Sequence, residues 1–164
     1  MGIKGGGIGV IYGSAIIRHN IIENNYARGQ GAGIYCGTLD IEISNNIIRN
    51  NICSGGYNIG WGGGIYCGGG MIFNNLIYGN EAGGYPTDEF GEGGGIFVSP
   101  ADPSSFAHIY NNTIVGNYSQ RYNSNGNGGG IYIPGDNYHY DTVIVENNII
   151  AFNTGKKRKR WGDV

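Results

Sequence analysis

The chain has 164 residues, one domain's worth, and an unusual composition: 34 Gly and 21 Asn against 4 Pro. Without a Gly-X-Y period this excludes collagen, and both abundant residues are poor helix formers, which disfavours a helical bundle. Charged residues make up only 13% against 40% hydrophobic, the reverse of a disordered chain, and no apolar run reaches the ~18 residues that span a bilayer.

The net charge of −2 is unevenly spread. Lys156, Lys157, Arg158, Lys159 and Arg160 hold five of the ten basic residues, which leaves five basic against eleven acidic in residues 1–155, a net of −6. Such an acidic body argues against nucleic acid as a partner. Three cysteines without C-x-x-C spacing exclude a disulfide framework or zinc site as the organising feature. The opening MGIKGGGIGV lacks the layout of a signal peptide and begins directly in patterned sequence, as expected of a piece of a longer chain.

In chain order, the first element is a glycine block, Gly5-Gly6-Gly7-Ile8, leading into a short strand with Val10 two residues on. The second is RHNIIENN at 18–25, preceded by Ile17. Both then recur. Glycine blocks end at Ile34, Ile65, Ile96 and Ile131, and Asn-rich blocks return at 44–51, 73–80, 110–117 and 146–153. Three columns of the second block have no exceptions: Asn20, Asn46, Asn75, Asn112, Asn148; Ile22, Ile48, Ile77, Ile114, Ile150; and Asn25, Asn51, Asn80, Asn117, Asn153. The spacing of the glycine-block Ile residues is 26, 31, 31 and 35. Fixed blocks at a variable period predict constant strands joined by variable loops.

Alternation sets the faces. The columns Ile8/Ile34/Ile65/Ile96/Ile131, Val10/Cys36/Cys67/Val98/Ile133, Ile17/Ile43/Ile72/Ile109/Val145 and the Ile22 series should point inward. Gly9, Tyr35, Tyr66, Phe97 and Tyr132 should point outward, as should His108. Asn tolerates positive φ at a corner, and its stacked amides can bond from turn to turn. The predicted fold is all-β: a right-handed parallel β-helix of about five turns, with three short strands per turn. It should fill residues 1–155 as a single domain, followed by a basic, off-pattern tail at 156–164.

These columns resemble the right-handed β-helix repeats of the pectin-lyase-like superfamily. The closest likeness is to the Gly-Gly-(Ala/Gly)-Ile/Phe-x-x-Asn arrays of polymorphic outer membrane proteins and related bacterial surface proteins. Asn25-Tyr26-Ala27 leading to Gly31-Ala32-Gly33-Ile34-Tyr35 fits that array, as does Asn80-Glu81-Ala82 leading to Gly93-Gly94-Gly95-Ile96-Phe97. The Phe of Phe-x-x-Asn is replaced by Ile22, Ile48, Ile77, Ile114 and Ile150. In enzymes of this superfamily the substrate groove runs outside one sheet, between two sets of loops.

The corresponding layout here puts loops at 52–61, 81–92 and 118–127 on one side and 99–107 and 134–142 on the other. Cys53 falls in one of these loops, while Cys36 and Cys67 read as buried small hydrophobes. The row Tyr35, Tyr66, Phe97, Tyr132 lies between the loop sets, where flat aromatic faces could carry a polysaccharide or other glycan. Superfamily lyases use carboxylates to hold calcium and a Lys or Arg as base. Asp88, Glu89 and Glu92 are the matching candidate calcium ligands, with Arg121 and His139 as candidate catalytic groups. Polygalacturonase and pectate-lyase signature motifs are absent.

The leading expectation is a non-catalytic segment of an exported or cell-surface protein, extracellular, scaffold- or adhesin-like. The alternative is a fragment of a polysaccharide lyase. Open strand edges at the two ends predict end-to-end self-association.

Overall fold

The computed structural model describes residues 3–55, 59–83, 90–99, 106–121, 126–135 and 142–157. It is all-β, a parallel β-helix of five turns, and each turn visits four sheets in the same order. The first sheet holds Ile8–Val10, Ile34–Cys36, Ile65–Cys67, Ile96–Val98 and Ile131–Tyr132. The second holds Ala15–Arg18, Ile41–Ser44, Gly70–Phe73, Phe106–Tyr110 and Thr142–Glu146. The third holds Ile21–Glu23, Ile47–Arg49, Leu76–Tyr78, Thr113–Val115 and Ile149–Ala151. Registers follow the sequence columns: Ile34 pairs with Ile65 and Ile65 with Ile96, and Ile48 pairs with Ile77 and Ile77 with Ile114. Among the described residues no helix is long and apolar enough to cross a membrane.

The three expected strands of each turn are thus present, and a fourth side is added to them. It comprises Ile3–Lys4, Tyr26–Gln30, Ile52–Ser54, Ile59–Trp61, Glu81–Ala82, Phe90–Glu92, Tyr118–Arg121 and Thr154–Lys157. The stretches 52–61, 81–92 and 118–127, expected as loops, therefore begin as strands, and the first two end as strands as well. The inward residues of this sheet, Ala27, Cys53, Ala82 and Ser119, are small and buried. The glycine corner packs against the backbone of this side: a Cβ at Gly63 would lie 2.4 Å from the Glu81 carbonyl oxygen, and one at Gly94 2.1 Å from that of Tyr118. Cys53 is accordingly a buried strand residue, correcting the loop assignment. Pairing also runs into the basic segment: Lys156 and Lys157 align with Gln120 and Arg121.

The inward Ile columns form one continuous core, and Ile34, Ile43, Ile48, Ile65, Ile77, Ile96, Ile109 and Ile114 are fully buried. In the last turn the same columns open to solvent: Ile133, Val145 and Ile150 are 40%, 39% and 47% exposed. Cys36, Cys53 and Cys67 are buried, and none of them is in a disulfide. Burial pushes the Cys36 and Cys67 thiols up, Cys67 to about 11. A thiol whose folded pKa is raised stabilises the fold below its unfolded value and loses that contribution as pH climbs. Stability should therefore fall from about pH 8.5 toward the Cys67 value of about 11. Urea midpoints across that range check the fall. A disulfide-exchange reagent at pH 8 should label these thiols only at the unfolding rate.

Each Asn corner divides its work between two residues. Positive φ is taken by the residue before the invariant Asn: His19, Asn45, Asn74, Asn111 and Asn147 at one corner. At the other it is Asn24, Asn50, Gly79, Gly116 and Phe152. The invariant Asn then turns inward and bonds to its neighbours. Asn51 donates its backbone N–H and Nδ2 to Asn80 Oδ1 at 3.1 and 2.9 Å, and its Nδ2 also reaches the Ile22 carbonyl at 3.0 Å. Asn80 repeats this with Asn117 and Ile48. A parallel ladder runs Asn20, Asn46, Asn75, Asn112, Asn148.

Phe152 is the bulkiest residue in a left-handed corner, with φ 57°, and it is 89% exposed. A left-handed backbone costs a side-chain-bearing residue ~1–2 kcal/mol. Phe152→Gly forfeits almost no burial, so it should stabilise the last turn by about 1 kcal/mol, measured as slower amide exchange at Ile149–Ala151.

Candidate functional site

The outer face of the first sheet is where the aromatic row and the expected loops converge. Tyr35, Tyr66, Phe97 and Tyr132 occupy one register position on successive strands. Neighbouring rings stack, with centroids at 5.1 Å for Tyr35–Tyr66 and 5.3 Å for Tyr66–Phe97 and interplanar angles of 19° and 10°. Phe97–Tyr132 is tilted, at 5.7 Å and 49°. Rings stacked along the coil axis turn their faces to one another and only their edges outward. Among Tyr35, Tyr66 and Phe97 the flat faces are thus taken up by neighbouring rings. Tyr35 and Phe97 are in fact buried, at 5% and 3% exposure, while Tyr66 and Tyr132 are partly open.

A second column, not anticipated from sequence, flanks the row. Lys4, Gln30, Trp61, Glu92 and Asn127 align turn by turn, each immediately before the first glycine of its block. That shared offset was the available signal. Trp61 lies against Phe97 at 5.2 Å and Tyr66 at 6.3 Å. Its Nε1 donates to Glu92 Oε2 at 3.0 Å, and Asn127 Nδ2 donates to Glu92 Oε1 at 3.0 Å. Lys4 Nζ donates to the Tyr35 hydroxyl at 3.0 Å and sits 4.9 Å from that ring's centroid. Tyr66 bonds Ser99, and burial raises its phenol above the ordinary range.

Of the candidate calcium ligands, Glu92 is described, and both its oxygens are engaged by protein donors. Asp88, Glu89 and His139 lie outside the described residues, as does the side chain of Arg121, whose backbone closes the strand Tyr118–Arg121. Among the described residues no group of three or more His, Cys, Asp or Glu side chains is placed to hold a metal ion.

The second sheet carries a smaller aromatic cluster. Phe73 and Tyr110 stack at 4.9 Å, His108 lies 4.4 Å from the Tyr110 ring, and His108 Nε2 is 2.8 Å from Glu146 Oε1. His108 does face outward, as expected, and is tied to the following turn.

Compared with known proteins, the chain matches no family model, no curated protein and no solved structure.

Proposed function

We propose that the chain is a non-catalytic β-helix segment of an exported or cell-surface protein, a rigid, adhesin-like scaffold that contacts glycans along the outer edge of the first sheet. The reading draws on the likeness of its columns to pectin-lyase-like and polymorphic outer membrane protein repeats. The observation that carries it is the use of Glu92. Its carboxylate joins Trp61 and Asn127 across successive turns instead of being left for a cation or substrate. Lys4, on Tyr35, is likewise spent on holding turns together. Glycan contact then falls to the partly open edges of Tyr66 and Tyr132, through hydroxyls and ring C–H groups, not through ring faces.

The test is a glycan array beside an absorbance assay for unsaturated products on acidic polysaccharides, with and without calcium. Binding without turnover, weakened roughly tenfold (~1.4 kcal/mol) by Tyr66→Ala, is the expected result. Calcium-dependent product formation would instead establish the lyase reading and direct attention to Asp88, Glu89, Arg121 and His139.

A further inference from the structure

In the first sheet Val10, Cys36, Cys67 and Val98 occupy one inward register position on four successive turns. Cys36 and Cys67 are the middle pair, both at 0% exposure inside the apolar core. Residues paired in register on neighbouring parallel strands stand ~4.8 Å apart, with their side chains on the same face. After burial itself, Cys67 is what pushes the Cys36 thiol up, so the two sense one another across that gap. Cys67 donates its thiol hydrogen to the Gly69 carbonyl at 2.7 Å. The corner beyond the pair is built on glycine, Gly37 in one turn and Gly68-Gly69-Gly70 in the next. Gly37 is exposed directly after the buried Cys36, so the pair lies one residue from solvent along the chain.

The spacing selects the chemistry. A disulfide draws its Cβ atoms to ~3.8 Å, closer than neighbouring strands stand. Two metal–sulfur bonds of ~2.3 Å in line span ~4.6 Å, close to the gap the strands already set. Zinc asks for four ligands, and among the described residues no group of three or more His, Cys, Asp or Glu side chains is placed to hold a metal ion. Charge narrows the choice again. Two neutral thiols that bind a divalent ion and release two protons give an uncharged product, which an aliphatic core accepts. A monovalent ion would leave a net negative charge between Val10 and Val98.

We propose that Cys36 and Cys67 form a two-coordinate site for a thiophilic, divalent d10 ion, of which mercury(II) is the type, held in line between the second and third turns. Two S–H bonds break, two metal–sulfur bonds form, and two protons leave to solvent; no oxidant or reductant takes part. Cys53 stays outside the site: it lies on the fourth side, where its register neighbours are Ala27 and Ala82.

Mercury(II) chloride titrated into the reduced full chain, with a small monothiol as competitor, tests this. Native mass spectrometry should show one ion bound per chain with the loss of two protons, and X-ray absorption should show two sulfur neighbours and no third ligand. Cys53→Ala should bind unchanged. Cys36→Val and Cys67→Val, which carry the residue this column holds in the adjoining turns, should each bind at least ~tenfold more weakly, because a single thiol must recruit its second sulfur from solution. The ion should raise the thermal midpoint of the unaltered chain and of Cys53→Ala, and of neither valine variant. Circular dichroism verifies each fold, and Cys36→Ala or Cys67→Ala replaces a valine variant that fails to fold. A folded chain that takes up no ion, uptake that survives either valine substitution at full strength, uptake that depends on Cys53, or a Cys36–Cys67 disulfide found in its place would overturn the proposal.

Discussion

Replacing Asn80 with alanine should lower the unfolding free energy by roughly 2–5 kcal/mol, the cost of orphaning buried polar groups at ~1–3 kcal/mol each. Asn80 is fully buried in the middle of its ladder. Its Oδ1 takes both the backbone N–H and the Nδ2 of Asn51, and its own Nδ2 serves the Ile48 carbonyl and Asn117 Oδ1. Alanine leaves the Asn51 N–H facing apolar neighbours and withdraws a donor from Ile48. Asn25→Ala, at the partly exposed start of the same ladder, removes only a donor to Asn51 Oδ1, which keeps the Asn25 backbone N–H, and should cost about 1 kcal/mol or less. Urea denaturation of the two variants gives the contrast. Asn80→Asp adds a pH signature. A buried carboxylate with no cation beside it has its folded pKa raised, so its penalty should be full above that raised value and shrink as pH falls from it toward the ordinary carboxyl value, ~4.

Gly64→Ala should destabilise by about 3 kcal/mol, the upper end of the usual overpacking cost. A Cβ at Gly64 would lie 2.6 Å from the Gly95 carbonyl oxygen and 3.2 Å from the Asn80 amide. The first is a backbone atom fixed by the next turn, so it cannot yield. The same geometry recurs at every turn: Gly33 lies against Asn51, Gly95 against Asn117, and Gly130 against Asn153. The glycine and Asn blocks recur together because the third glycine makes the space that the second Asn ladder fills. In the double variant Gly64→Ala/Asn80→Ala the penalties should fall short of additivity by about 1 kcal/mol, since truncating Asn80 removes one of the two clashes. A chevron or urea double-mutant cycle measures the difference.

The three aliphatic sides of the coil were legible in the sequence because each carries a large residue at a fixed register position, and an Ile column has few other physical readings. The fourth side was not. Its inward residues, Ala27, Cys53, Ala82 and Ser119, are small and chemically mixed, and two of its turns break into strands of two or three residues. Periodicity has nothing to detect there, and the close approach of the glycine corner to the backbone of this side is purely three-dimensional. The outward direction of Tyr35, Tyr66, Phe97 and Tyr132 was readable from alternation. The orientation of their ring planes was not, because it depends on the ~4.8 Å step between turns and on Trp61 lying against them. The corner Asn pairs were recognisable as corners, but the division between a φ-bearing residue and a ladder residue emerges only from backbone angles. It explains why His19, Gly79 and Phe152 can replace the first Asn while nothing replaces the second.

The most direct test of the stacked coil is the distance between spin labels on one outward column of the third sheet. Ile21 and Ile149 are exposed, belong to the first and fifth turns, and are linked rung by rung through Ile47, Leu76 and Thr113. The buried native thiols should remain unlabelled. With cysteine at both positions, double electron–electron resonance at dilutions that hold the chain monomeric should give one narrow distribution. It should centre near four steps of ~4.8 Å, about 19 Å between backbones. A broad distribution, or a separation of roughly twice that, would contradict the stacking on which the ladders and the core depend.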